Sequence, residues 1–396
     1  MPQTVVSLSR DQALSQSQIV GLLEQVCQRL ELTPTQFATA ESRYEAVAKW
    51  LEGAEDQRIS TASIYPQGSI GIGTTVKPIG KVEFDVDLVC HLEAATSDLS
   101  PSEVKRLVGD RLRENGHYRP ILEQKCRCWR LRYANEFHLD ITPSIRNPNC
   151  YRGGELVPDR NADSWKASNP RGYRDWFNEK AKLTASIRLD QLELRELKAA
   201  VERLPQPTTF RGLLRRSVQL CKRHRDIWAE RTTSKVAPIS IIITTLAAKS
   251  YERCVAEREY DTELDLLLSV VRGMPDLIER ISENGNLIYA VWNETTEGEN
   301  FAEKWNTDAK LPRAFYDWHS SAMAGLQDLG ELVGMPNVQR SLSESFGSSV
   351  VYDVFSANTA EIIASRKSGK LRVASSVGVG SGTGGVVVPR NTHYGS

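Results

Sequence analysis

Between residues 16 and 53 apolar side chains recur at helical spacing, which predicts two helices. The second begins near Thr33-Pro34, where Thr suits the cap and Pro the first turn. Phe37, Tyr44, Val47, Ala48 and Leu51 form its apolar face, and Gly53 is placed to stop it. Beyond Gly53 the pattern changes. A glycine-rich turn, YPQGSIGIGTTVKP, leads into VEFDVDLVC (82–90), whose alternation and β-branched residues predict a strand. An amphipathic helix over 103–115 and strands over 127–133 and 137–141 follow, which together predict an α/β or α+β lobe. Residues 145–180 read as loop-rich, because Asn147-Pro148, Gly153-Gly154, Pro158-Asp159 and Asn169-Pro170 are turn dipeptides. Helical spacing then dominates over 189–203, 209–231, 238–257, 260–271, 275–283, 299–306, 311–330 and 338–345. From 366 onward the chain is rich in Gly, Ser and Val with no core-forming period, which predicts a flexible tail.

Composition narrows the function. At roughly 100–200 residues per domain, 396 residues allow two or three sizeable cores. Lys plus Arg and Asp plus Glu each number 50. The zero net charge disfavours a non-specific coat for nucleic acid, whose phosphates demand a basic excess, while a local basic groove stays open. The longest apolar-rich run, 239–248, holds Ser240, Thr244 and Thr245 and is too short for a bilayer span. The first residues lack the basic start and apolar core of a secretory signal. Seven cysteines, with Cys126 and Cys128 unaccompanied by a second pair, suggest neither a disulfide framework nor a zinc site. A reducing cytoplasm is the expected location.

The candidate chemistry lies on the first predicted strands. Asp85 and Asp87 stand two apart on a strand, so both point to one face while Phe84, Val86 and Leu88 face the core. Neighbouring carboxylates repel unless a cation lies between them, and hard divalent ions favour oxygen ligands. Asp140, on the strand candidate after Phe137-His138-Leu139, would supply a third carboxylate. An Asp-x-Asp pair alone is common by chance. Gly68-Ser69, 16 residues before Asp85 within a glycine-rich turn, adds backbone that can approach phosphates closely. No Gly-Lys-Ser/Thr follows, so this is not a Walker loop.

This order of helix, Gly-Ser turn, Asp-x-Asp strand and later Asp strand resembles the nucleotidyltransferase superfamily of DNA polymerase β. Gln67-Gly68-Ser69, Gly73-Thr74, FDVDLV (84–89), LVPDR (156–160), SNPRGYRDWF (168–177), QLCKRHRD (219–226) and ENFAEKW (299–305) resemble one branch, the bacterial cGAS/DncV-like nucleotidyltransferases or CD-NTases. The resemblance implies an α+β, two-lobed, polymerase-β-like fold. A mixed-sheet catalytic lobe with bracing N-terminal helices would cover 1–205, a helical second lobe 206–365 and the tail 366–396. It implies synthesis of a cyclic di- or trinucleotide from NTPs, ATP among them, in antiphage (CBASS) signalling. Asp85, Asp87 and Asp140 would hold two Mg²⁺ ions, with Mn²⁺ an alternative, and Gln67, Gly68, Ser69, Lys222 and Ser240 would bind nucleotide. A downstream effector would bind the product, and neither a membrane nor a stable nucleic-acid partner is expected.

Other residues carry alternatives. The segment between Ser69 and Asp85 is long for the superfamily, which leaves the geometry of the turn open. Arg211, Arg215, Arg216, Lys222, Arg223, Arg225 and Arg231 make the helix over 209–231 basic, which ordinarily marks a solvated face. Within that run, Lys222 aligns with the family's triphosphate lysine. Ser240 aligns with a phosphate-touching serine, or simply caps a helix. Tyr133 could stack a base; Arg130 and Arg132 could hold acceptor phosphates or make salt bridges; His138 is expected to face away from the carboxylates or to pack. The ending Asn391-Thr392-His393-Tyr394-Gly395 resembles CD-NTase tails whose terminal glycine a ubiquitin-transferase-like partner conjugates, although Ser396 follows Gly395 here. A linear nucleotidyltransferase and a catalytically silent nucleotide sensor are the competing readings, and the base pocket is not located by sequence.

Overall fold

Thr33 starts a helix because it satisfies backbone groups that the helix leaves open. Its hydroxyl accepts the Gln36 N–H at 3.2 Å while the Gln36 side chain accepts the Thr33 N–H at 3.0 Å. The computed structural model describes residues 10–80, 83–134, 136–159, 164–188, 212–232, 236–283, 286–368, 372–374, 378–380 and 386–387. Helices and strands are numbered in chain order.

The two N-terminal helices serve different cores. Helix α1 (Arg10–Leu30) starts before the expected residue 16 and buries Ile19, Leu23, Val26 and Leu30 in the helical core. Helix α2 (Pro34–Glu52) buries Ala40, Val47 and Leu51 in the sheet core. A short helix α3 (Gln57–Ser60) leads into β1 (Ser63–Pro66), the one-turn helix α4 (Gly68–Ile72) and β2 (Phe84–His91). After α5 (Pro101–Glu114) come β3 (Leu122–Gln124), β4 (Trp129–Tyr133) and β5 (Phe137–Arg146). The strand order is β1-β2-β5-β4-β3; β2 and β5 run parallel and the other neighbours antiparallel. Phe84, Val86 and Leu88 share the buried sheet core with Val104, Val108 and Leu112 of α5, leaving Asp85 and Asp87 on the opposite face. Gly109 lies against the Trp129 indole, where an added Cβ would sit 2.1 Å from a ring carbon.

Residues 145–180 depart from the loop-rich expectation. They hold the end of β5, then β6 (Glu155–Pro158), β7 (Trp165–Ser168) and helix α6 (Pro170–Lys182). Asn169-Pro170 is a helix start rather than a turn: Asn169 Oδ1 accepts the Gly172 N–H at 2.9 Å and Pro170 occupies the first turn.

The second lobe packs α7 (Leu213–Arg231), α8 (Ser240–Glu257), α9 (Glu263–Gly273), α10 (Lys310–Glu331), α11 (Met335–Phe346) and α12 (Ser348–Lys367) around Phe315, Trp318, Leu342 and Phe346. Helix α12 was missed by the sequence pattern, whose last helical segment, 338–345, falls within α11. Residues 275–283 are a 3-10 turn followed by strand β8 (Glu279–Glu283), which pairs with β9 (Asn286–Ala290); they are not a helix. Within 299–306 only Glu303–Asn306 turns, as a 3-10 helix. Helix α7 is no solvated face, since it runs through the lobe's centre with Arg216, Lys222 and Arg223 all buried. Short strands β10 (Arg372–Ala374), β11 (Gly378–Gly380) and β12 (Val386–Val387) pair antiparallel. The helix expected over 189–203, Arg211 and the ending with Gly395 lie outside the described residues. No helix among the described residues is long and apolar enough to cross a membrane.

Candidate active site

Strand alternation and register bring the three aspartates together. Asp87 of β2 stands directly opposite Asp140 of β5, and Asp85 opposite His138. Burial, then the negative charges of Asp140 and Asp85, push the Asp87 carboxyl up to about 6. Asp85 is raised too, chiefly by burial.

Arg130 sits opposite Asp140 in the β4–β5 register and supplies the balancing charge. Its Nε donates to Asp140 Oδ1 at 2.6 Å and a terminal nitrogen to Oδ2 at 2.7 Å, a fork-on-fork pair that also reaches Asp85 Oδ1 at 3.1 Å. Arg132 and His138 both lean on Glu83, at 3.5 and 3.0 Å. His138 therefore shares the face of Asp140 and contacts Glu83 there, where the expectation was that it would face away from the carboxylates or pack. Tyr133 lies on the core face of β4, its ring 5.1 Å from Phe137 and under the Arg43 guanidinium, and is not placed to stack a base.

The β1–α4 turn lies over Asp87. The Gln67 N–H donates to the Asp87 carbonyl at 2.8 Å, and Gln67 Nε2 reaches Thr142 Oγ1 at 3.4 Å. Gly68 has φ +61°, and a Cβ there would meet Asp87 Oδ2 at 2.7 Å, so the approach requires glycine. The long segment after Ser69 crosses to the helical lobe. Lys222 Nζ donates to the Thr74 carbonyl at 2.8 Å, Gln219 Nε2 to the Thr75 carbonyl at 3.0 Å, and the Lys77 N–H to the Leu30 carbonyl at 2.8 Å. Burial, with Arg225 nearby, lowers the Lys222 ammonium to about 8.

A cleft of about 560 Å³ opens between these elements. Gln67, Gly68, Ser69, Asp85, Asp87, Lys222 and Ser240 all line it. Asp140 is not in its wall; its carboxylate turns to Arg130. Ser240 is the first residue of α8, but Ile239 holds the cap position and the serine does not cap; its hydroxyl accepts from Arg225 at 3.2 Å.

The same cleft is also lined by Asn169, Tyr173, Asn293, Glu299 and Phe301, to which the sequence assigned no role, although all but Asn293 lie in segments that carry the family resemblance. Asn293 Nδ2 donates to Glu299 Oε2 at 2.7 Å, and Asn169 Nδ2 ties this loop to α6 through the Thr295 carbonyl at 2.9 Å. Tyr173 is fixed by its hydroxyl's 2.9 Å contact with Thr245 Oγ1 and meets Phe301 edge-on. Burial raises the Glu299 carboxyl, opposed by the Asn293 hydrogen bond and the charges of Lys166 and Arg127.

The donors offered to a cation are all oxygens. Among the described residues no three His, Cys, Asp or Glu side chains are gathered into a ready metal cage, because Arg130 holds Asp140 aside. Asp85 and Asp87 share one face, and both carboxyls are raised chiefly by burial, with neighbouring carboxylates adding to the shift. That pair fits a hard divalent ion.

Residues 18–181 match the Second Messenger Oligonucleotide or Dinucleotide Synthetase domain family. The chain is 31% identical over 338 residues to a c-di-GMP synthase of Roseivirga ehrenbergii, covering 84% of this chain and 85% of that one. It is 26% identical over 355 residues to the cyclic dinucleotide synthase CdnG of Bradyrhizobium diazoefficiens, covering 84% and 81%. The fold matches the solved structure of that CdnG in complex with GTP at a TM-score of 0.64 and 22% identity, over 86% of this chain and 99% of the other. With a relative this similar along nearly its whole length, and the Gly-Ser turn set over paired aspartates in a two-lobed fold, the chain belongs to the CD-NTase family of nucleotidyltransferases.

Proposed function

We propose that this protein joins nucleoside triphosphates, GTP among them, into a cyclic dinucleotide with release of pyrophosphate. The observation that carries the reading is the convergence of Ser69, Asp85, Asp87 and Lys222 on one cleft. Lys222 and the Gln67-Gly68-Ser69 turn would hold the donor triphosphate, with the ammonium offsetting charge on the outer phosphates. Asp85 and Asp87 would hold Mg²⁺ or Mn²⁺, which when bound neutralises charge on the reacting phosphate oxygens. Asp140, once free of Arg130, would accept the proton of the attacking ribose hydroxyl. The hydroxyl oxygen bonds to the α-phosphorus, the bond from that phosphorus to the bridging oxygen breaks, and pyrophosphate leaves with its electron pair. A second round closes the ring. The name of the Roseivirga ehrenbergii relative, a c-di-GMP synthase, supports a guanine nucleotide as substrate. Family membership supports a role in antiphage signalling in the cytoplasm, where an effector reads the product. Conjugation at Gly395 rests on the ending NTHYG alone.

Incubation with Mg²⁺ or Mn²⁺ and α-labelled NTPs, singly and mixed, followed by phosphatase, tests the proposal. The expected result is a low-mass, phosphatase-resistant product that Asp85→Asn with Asp87→Asn abolishes without loss of fold. Label released by phosphatase, or product that lengthens added RNA, would replace this reading with linear transfer.

A further inference from the structure

Two chemically different groups of residues line the cleft. One carries the glycine turn, the lysine and the aspartate pair; the other carries aromatic rings and a carboxylate on a fixed loop. Four carboxylates line the cleft: Asp85, Asp87, Asp226 and Glu299. Asp87 lies under the Gly68 turn, Asp85 is reached by Arg130 at 3.1 Å, and Asp226 is engaged by Arg225 Nε at 2.6 Å. Glu299 is left as the acceptor in the second group.

Its setting is rigid. Asn293 Nδ2 holds Oε2, and the Thr296 hydroxyl also bonds the carboxylate. The loop closes on itself through the Asn293 N–H to the Glu299 carbonyl and the Phe301 N–H to the Val291 carbonyl, both 2.9 Å. Asn293 and Thr296 are buried, and Asn169 fastens the loop to α6. Tyr173 and Phe301 stand beside it as aromatic surface for a base.

Resting on the reading of the cleft as an NTP site, we infer that Glu299 selects guanine by accepting the two adjacent N–H groups of its Watson–Crick edge. A carboxylate is an acceptor only, and each of its oxygens can take more than one hydrogen bond, so the anchor from Asn293 leaves capacity on both. Guanine presents N1–H and the 2-amino group side by side. Adenine presents an acceptor, N1, next to its 6-amino donor, so its N1 lone pair would face a carboxylate oxygen with no proton between them. The site therefore discriminates by hydrogen bonding, which rejects a mismatched base far better than shape alone.

Equilibrium binding of GTP, ITP and ATP to the full chain and to Glu299→Gln tests the inference. ITP keeps N1–H and lacks the 2-amino group. The wild type should rank GTP over ITP over ATP. Glu299→Gln should weaken GTP by about tenfold to a hundredfold, the scale of a lost charge-assisted hydrogen bond, and should hold or raise ATP affinity, because an amide offers one donor and one acceptor. Its carbonyl can still accept from Asn293, and an unchanged melting temperature would show the loop intact. An unchanged GTP-to-ATP ratio in the variant, with the wild type still making cyclic product, overturns the role of Glu299 and leaves the synthase reading standing. Failure of the wild type to bind any of the three overturns both.

Discussion

Lys222 is charged only over part of the accessible pH range. Its value of about 8 lies below the ordinary 10.5 because it is buried beside Arg225, with Asp226 and Asp87 pulling the other way. The folded chain thus gives up this proton earlier than the unfolded chain. Between about pH 8 and 10.5 the unfolded state binds more protons, so this group makes folding stability rise with pH. Triphosphate affinity should do the reverse, falling as the ammonium deprotonates above pH 8. Titration of GTP binding from about pH 6.5 to 9.5 should show the loss without unfolding, and Lys222→Arg, whose guanidinium stays charged, should flatten the profile. Gly68 offers a steric counterpart. In Gly68→Ala the left-handed backbone costs about 1–2 kcal/mol, and the new Cβ must push Asp87 Oδ2 from 2.7 Å. Product formation should fall at least about tenfold while circular dichroism reports a folded protein.

At the scale of elements, local chemistry was legible and distant chemistry was not. Thr33 and Gln36 cap each other within one turn, and the alternation of Phe84 to Leu88 sets the face of Asp85 and Asp87 without reference to anything remote. Asn169-Pro170 is ambiguous locally, because the residues that make turns also start helices; what decides is the run from Tyr173 to Lys180 packing on α8. The charge of α7 was misleading because its partners are far away in sequence. Arg216 bonds Glu24, 192 residues earlier, and Glu31. Glu299 stands in the ENFAEKW segment that carries the family resemblance, but its place in the cleft was not legible, since its loop is held by Asn169, 126 residues from Thr295. The Arg216 cluster makes a prediction about the α1–α7 contact. Its side chain is 5% exposed, so Arg216→Met strands two carboxylates. Urea unfolding should show a loss of about 3–5 kcal/mol, and adding Glu24→Gln and Glu31→Gln should restore much of it.

At the scale of the whole molecule, the described residues form two hydrophobic cores with a seam between them. Val86, Leu88, Val104 and Leu139 belong to the sheet core, whereas Leu23, Val218, Leu246 and Trp318 belong to the helical core. Near the cleft Ile72 and Val76 pack on the helical core, and hydrogen bonds also cross between the lobes: Lys222 to the Thr74 carbonyl, Arg215 Nε to the Ile72 carbonyl at 3.0 Å, and Arg171 to Ser63 Oγ at 2.6 Å. Each such bond is worth only about 0.5–1.5 kcal/mol net, against the far larger cooperativity inside each core. Scanning calorimetry should therefore resolve two overlapping transitions in the free protein. A nucleotide whose triphosphate bridges Ser69 and Lys222 ties the lobes together and stabilises only the state in which both are folded. At a hundred times its Kd, GTP should add about 2.7 kcal/mol, raise the lower transition and draw the two toward one. Lys222→Ala, which on the proposed reading would remove the helical lobe's hold on the phosphates, should lose that convergence. A single two-state transition in the free protein would mean that the seam couples the cores far more strongly than its bonds account for.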